Sequence, residues 1–165
     1  MGYYDEISEG YEELHKEEQL KKVELIKKYL KVNPHDKLLD VGCGTGLTTE
    51  PWLCKRYGID PAPKLLSRAR QKDDIEYKQA PAESIPYPDN FFDIVISITA
   101  IQNFNNIEKG LKEIKRVGKN LFVLSFFKKS DKKEKIINNI KILFETDSVI
   151  EEEKDIIYFV HKRSD

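Results

Sequence analysis

Short apolar runs alternate with stretches of helical periodicity along this chain. Apolar-rich segments at 37–41, 55–59, 75–79, 92–98 and 120–127 predict β-strands. Between them, helical spacing predicts helices at about 46–53, 62–71, 106–117 and 131–144. In the third of these Ile107, Leu111, Ile114 and Val117 share a face, and in the fourth Ile136, Ile140 and Leu143 do. Ile94-Val95-Ile96 and Leu121-Phe122-Val123-Leu124 are continuously apolar, the pattern of parallel strands covered on both faces. Two β-rich runs, 148–152 and 155–161, are joined by Glu153-Lys154 and predict a hairpin. Ahead of the first strand, Leu20, Val23, Ile26 and Leu30 mark an amphipathic helix over 17–31, ended by Asn33-Pro34-His35-Asp36. Residues 1–16 are acidic and aromatic. This alternation predicts an α/β fold with a doubly wound, mostly parallel sheet and a terminal antiparallel hairpin.

The chemistry concentrates where the first strand ends. Leu38-Leu39-Asp40-Val41 runs directly into Gly42-Cys43-Gly44-Thr45-Gly46, and the second strand ends in Tyr57-Gly58-Ile59-Asp60. A glycine-rich turn, with a carboxylate at the tip of the next strand, is how an open α/β sheet grips a nucleoside ligand. The glycines let the backbone come close, and the carboxylate accepts hydrogen bonds from a ribose diol. The spacing departs from the dinucleotide pattern G-x-G-x-x-G, and the loop has no Lys or Arg to meet a phosphate. A ligand with a cationic end suits Asp40 better.

The string from Leu38 to Gly46 resembles motif I of the class I S-adenosylmethionine-dependent methyltransferases, and the resemblance extends from about residue 20 to the end of the chain. It implies a seven-stranded Rossmann-like sheet, S-adenosylmethionine as cofactor, S-adenosylhomocysteine as product, and no metal. By that likeness Asp40 lies near the methionine part of the cofactor, and Gly42, Cys43, Gly44 and Gly46 line it. Asp60 and Pro61, similar to the family's GIDPS, lie at the ribose hydroxyls; Asp60 can equally cap the helix that follows. Ala82-Glu83-Ser84-Ile85-Pro86-Tyr87-Pro88-Asp89-Asn90-Phe91-Phe92-Asp93 resembles a string of the small ubiquinone/menaquinone-methyltransferase-like branch, whose start lies against adenine. The position before it, often acidic in relatives, is Pro81, so adenine contact rests on Ala82 and on Glu83, which can instead cap a neighbouring backbone segment. Asp93 is expected at the entry to the fourth strand. Ser97 is expected at the crevice, because strand carboxyl ends face the ligand in such sheets. Gln102 and Asn103 follow it, as acceptor-orienting groups or as caps of helix 106–117. Tyr3, Tyr4 and Tyr11 sit in a segment resembling the branch's opening, which folds over the cofactor. Residues 1–31 therefore form the expected lid and helix segment, and 37–162 the catalytic sheet of a single domain spanning 1–165.

No Asp/Asn/Ser-Pro-Pro-aromatic motif follows the fourth strand, and no Pro-Cys nucleophile. Catalytic residues are therefore not identified. An in-line transfer needs the acceptor lone pair about 3–3.5 Å from the methyl carbon and little acid–base machinery. A nitrogen or sulfur acceptor fits that better than oxygen or carbon, which would want a base. The acceptor can be a small molecule, tRNA or other RNA, or a protein. The other reading is a catalytically silent cofactor-binding subunit that acts with a partner protein. A nicotinamide-dependent dehydrogenase shares the sheet but would need a hydride-transfer pair such as Tyr-x-x-x-Lys on a helix beside the site; the string Tyr158-Phe159-Val160-His161-Lys162 falls in the predicted terminal hairpin instead.

Composition narrows little further. The 165 residues carry a net charge of -1, which gives no global attraction to nucleic acid or membrane. The two cysteines, Cys43 and Cys54, read as small buried side chains rather than a disulfide framework. With no run of ~18 apolar residues and no leader pattern, a cytoplasmic protein is expected.

Overall fold

A computed structural model describes residues 2–69, 72 and 74–164, with backbone alone for 2–11. The chain divides into two units, Met1–Lys31 and Val32–Asp165. In the first, helix α1 spans Gly2–Lys27 and closes in a turn where the amides of Tyr29 and Leu30 both donate to Ile26 O. The helix is longer than the predicted 17–31 stretch because the residues before it, with four Glu among the first 16, contain no proline.

The second unit is a seven-stranded sheet in the order β3-β2-β1-β4-β5-β7-β6. Strand β1 (Lys37–Val41) lies parallel between β2 (Lys55–Asp60) and β4 (Phe92–Ser97), with Leu39 opposite both Tyr57 and Val95. Strand β3 (Ile75–Gln79) extends the sheet beyond β2, and β5 (Gly118–Phe127) extends it beyond β4. Strand β7 (Asp155–Lys162) enters antiparallel between β5 and β6 (Phe144–Glu151). The predicted sheet and its terminal hairpin are both present. Every strand residue of β1 after Lys37 is buried, as expected for a strand covered on both faces.

Helix α3 (Ile107–Val117) shows why the periodicity was readable. Asn106 caps it by accepting the Lys109 amide hydrogen at 3.0 Å. Ile107, Leu111, Ile114 and Val117 form its buried face, and Lys115 and Arg116 lie in the last turn, where cations suit the helix dipole. Helix α4 (Lys133–Leu143) packs against α3, and Ile136 and Ile140 join the same core as Leu39, Val95, Phe122 and Leu124.

Two predicted helices differ. Residues 46–53 form turns, not a helix. Thr49 and Glu50 donate to Gly46 O, but Pro51 has no amide hydrogen to continue the ladder. Side chains take over the carbonyls instead: Trp52 Nε1 donates to Thr48 O at 2.8 Å and Arg56 Nη1 to Glu50 O at 2.6 Å. The predicted helix 62–71 is reduced to α2 (Pro63–Leu66), followed by turns to Ala69, with Ser67 Oγ bonded back to Lys64 O. Residues 70, 71 and 73 lie outside the described set.

Candidate cofactor crevice

The chain builds the sheet outward from β1 to β3, then returns to the other side of β1 as β4. At such a switch point the ligand crevice of an open α/β sheet lies at the carboxyl ends of the strands. Its candidate walls here are the glycine turn, residues 42–46, and the tip of β4.

Gly42 sits at φ +79°, and a Cβ there would lie 2.6 Å from Ala100 Cβ. Only glycine permits both the left-handed backbone and this contact between the two walls. Gly46, at φ +88°, rests against the Tyr77 hydroxyl of β3, again with no room for a side chain. The amides of Gly42 and Cys43 both donate to Ile59 O, which pins the turn to β2.

Asp60, 7% exposed, closes the turn from the other side. Its Oδ2 accepts the Gly44 amide hydrogen and its Oδ1 the Ala62 amide hydrogen, both at 2.9 Å. Each carboxylate oxygen has a second lone pair, so capacity for two further donors remains. Asp60 thus performs the capping role weighed from sequence while keeping acceptor capacity at the tip of β2.

Asp40 is fully buried. Its Oδ2 accepts the hydroxyls of Thr48 and Thr49, both at 2.7 Å, and among the described residues its Oδ1 has no hydrogen-bond partner. Burial lifts its pKa from 3.8 to about 6; the two threonine hydrogen bonds oppose that shift and the negative charge of Asp60 adds to it. Tyr77 has a buried hydroxyl without a partner of good geometry among the described residues, although Thr49 acts on it. Burial pushes that phenol up to about 12, with Cys43 and Asp40 adding to the shift. The Cys43 thiol is also raised by burial, so it is an inert packing group rather than a nucleophile.

The remaining expected site residues fall differently. Ser97 is fully buried and its hydroxyl donates to Val41 O at 2.9 Å, so its side chain braces β4 against β1 beneath the crevice. Glu83 Oε2 accepts the Asn106 amide hydrogen at 2.7 Å, the capping alternative weighed for it. Ala82 is buried, and Pro61 is exposed beside Asp60. Asp93 accepts the Lys37 amide hydrogen and pairs with Lys119 at the entry to β4, as expected. Gln102 bridges the tips of β4 and β5: Nε2 donates to Thr99 O at 2.9 Å, and Oε1 accepts from the Phe127 amide at 3.3 Å. The side chains of Tyr3, Tyr4 and Tyr11 lie outside the described residues.

A cluster that sequence reasoning missed lies at the β4 tip. Thr99 is left-handed, at φ +55°, a conformation that costs a β-branched residue about 1–3 kcal/mol. Its amide donates to Ser125 Oγ at 2.9 Å and its hydroxyl to Asp155 Oδ2 at 2.6 Å; Ser125 Oγ donates to the same Oδ2 at 2.9 Å. Ser125 and Asp155 are fully buried. The available signal was a lone polar residue inside, or opening, each of two apolar strand runs.

The donor set fits a cofactor that is cationic at one end and carries a ribose at the other. Two buried carboxylates flank the glycine turn, one with an unpartnered oxygen, and residues 38–46 contain no cation. A pyrophosphate there would meet net negative charge.

Comparison with known proteins agrees. A family model described as a methyltransferase domain matches residues 39–124. An uncharacterized protein of Methanocaldococcus jannaschii is 32% identical over 117 residues, 70% of this chain and 45% of that protein. The ubiquinone/menaquinone biosynthesis C-methyltransferase of Chromobacterium violaceum is 35% identical over 112 residues, 59% of this chain and 46% of that one. This chain therefore spans about half the length of these curated relatives. A solved chain from the complex of the Haloferax volcanii Trm112 methyltransferase activator with a methyltransferase shares the fold at a TM-score of 0.78. It is 13% identical, with 95% of this chain and 96% of that one covered.

Proposed function

Because this chain belongs to the family described as a methyltransferase domain, we propose that it transfers a methyl group from S-adenosylmethionine to an acceptor and releases S-adenosylhomocysteine. The observation that carries the reading is the pair of buried carboxylates around a cation-free glycine turn. When bound, the cofactor supplies a methyl group already activated on a sulfonium. The chain's own residues bind and orient it. Asp40 Oδ1 offers a desolvated negative charge to an ammonium group, and Asp60 offers two free lone pairs to a diol. The bare backbone of the turn lets the ligand lie close against it. Ala82 is the candidate neighbour of the adenine ring, whereas the committed carboxylate of Glu83 supports that contact only indirectly.

For the acceptor, the absence of a histidine in the loop between β4 and α3 favours a nitrogen or sulfur atom that needs no base. Small molecules, RNA and protein all remain in this class. A second reading, a cofactor-binding subunit completed by a partner protein, draws support from the fold shared with the chain solved beside the Trm112 activator.

Titration calorimetry with S-adenosylhomocysteine and with NAD tests the cofactor: heat of binding with the first and none with the second is expected, and the reverse would sink the reading. Incubation of methyl-labelled cofactor with fractionated cell extract then identifies the acceptor. Cofactor binding without label transfer to any fraction, reversed on adding a partner protein, would favour the second reading.

A further inference from the structure

The Thr99–Ser125–Asp155 cluster lies outside the cofactor-binding set, yet it bears on the crevice. Thr99 holds a backbone conformation that only a surrounding lattice of bonds can impose on a β-branched residue. Three bonds do so. Ser125 Oγ holds its amide, Asp155 Oδ2 its hydroxyl, and Gln102 Nε2 its carbonyl. Asp155 is the hub, because its single Oδ2 also accepts the Ser125 hydroxyl and so orients that oxygen toward the Thr99 amide. Thr99 lies two residues past the end of β4, Ser125 is in β5 and Asp155 opens β7, so the carboxylate ties these strand tips together. The next residue along, Ala100, is the one seated against Gly42.

We propose that Asp155 is a positioning residue of the methyl-transfer crevice: acting through Thr99 and Ser125, it fixes the left-handed turn that seats Ala100 on Gly42 and so holds the β4 wall against the glycine turn. It is fully buried. Its effect reaches the crevice through backbone geometry alone. The proposal rests on the cofactor reading above only for where the ligand lies.

The test is a double-mutant cycle between Asp155→Ala and Thr99→Gly, read by amide exchange of residues 98–103 and by S-adenosylhomocysteine calorimetry. In the native background, Asp155→Ala should speed exchange and weaken binding by about tenfold. Glycine adopts the left-handed turn without support, so in the Thr99→Gly background the same change should cost less than about twofold. Asp155→Asn, whose carbonyl can accept both hydroxyls, should recover most of the loss. An equal tenfold effect in both backgrounds would overturn the proposal, since it would mean that Asp155 merely supports β5–β7 packing. So would unchanged exchange in Asp155→Ala. If Asp155→Ala does not fold, Thr99→Val and Ser125→Ala remove the two donors separately and are read in the same way. Native protein that binds no S-adenosylhomocysteine would defeat the cofactor reading, while the exchange cycle would still decide this one.

Discussion

Asp60 Oδ2 accepts the amide hydrogen of Gly44 at 2.9 Å, so the carboxylate at the tip of β2 is also the buttress of the turn that follows β1. On the proposed reading, ligand recognition and loop architecture share one side chain. Asp60→Ala should abolish measurable S-adenosylhomocysteine binding and also lower stability by about 1–3 kcal/mol, because two backbone donors lose their acceptor. Calorimetry and thermal unfolding read the two effects. A variant that loses binding at full native stability would show that these hydrogen bonds contribute nothing to the turn.

Asp40 makes a pH-dependent claim. Its folded pKa is raised to about 6 from 3.8, so ionisation opposes folding above pH 6 and that penalty disappears as the pH falls toward 4. The penalty at pH 8 is about 3 kcal/mol. The unfolding free energy of Asp40→Asn minus that of the native protein should therefore fall by somewhat less, about 2 kcal/mol, between pH 8 and pH 4, the unfolded carboxyl being still partly ionised at pH 4. A flat difference across this range would contradict the raised pKa. S-adenosylhomocysteine affinity of the native protein should weaken below pH 6, as the carboxylate loses the charge offered to an ammonium group.

Gly42→Ala combines a left-handed backbone with a Cβ placed 2.6 Å from Ala100 Cβ. A loss of about 2–4 kcal/mol is expected in denaturant unfolding. Adding Ala100→Gly removes the collision but not the backbone cost, so only part of the stability should return. Full recovery would mean that the backbone conformation carries no penalty.

Glu83→Ala removes the acceptor for the Asn106 amide at the start of α3. The expected cost is about 1 kcal/mol of stability, with S-adenosylhomocysteine affinity changed less than about threefold. A hundredfold loss of affinity at unchanged stability would instead place Glu83 directly on the ligand.

What could be read from the sequence was local. Gly42 and Gly46 announce themselves because each needs a backbone that other residues resist, and α3 because its apolar face and its Asn106 cap obey one period. The segment 46–53 departs from its helical spacing because Pro51 interrupts the ladder and Asp40 claims the hydroxyls of Thr48 and Thr49, a long-range demand that spacing does not reveal. Thr99, Ser125 and Asp155 were invisible for a different reason. They lie 26, 30 and 56 positions apart in pairs, and nothing in the neighbourhood of any one points to the others. Ser97 shows the complementary failure: its position at a strand end was right, but which face its hydroxyl took could not be inferred from spacing.

The placement of β7 between β5 and β6 has a consequence for biosynthesis. Strand β6 emerges from the ribosome before β7, yet among the described residues its one sheet neighbour is β7. Until residues 155–162 are available, β6 has nothing to pair with, the outer edge of β5 is bare, and the buried Asp155 has not reached Thr99. The carboxylate that braces the Thr99 turn thus arrives only after β6 has been made.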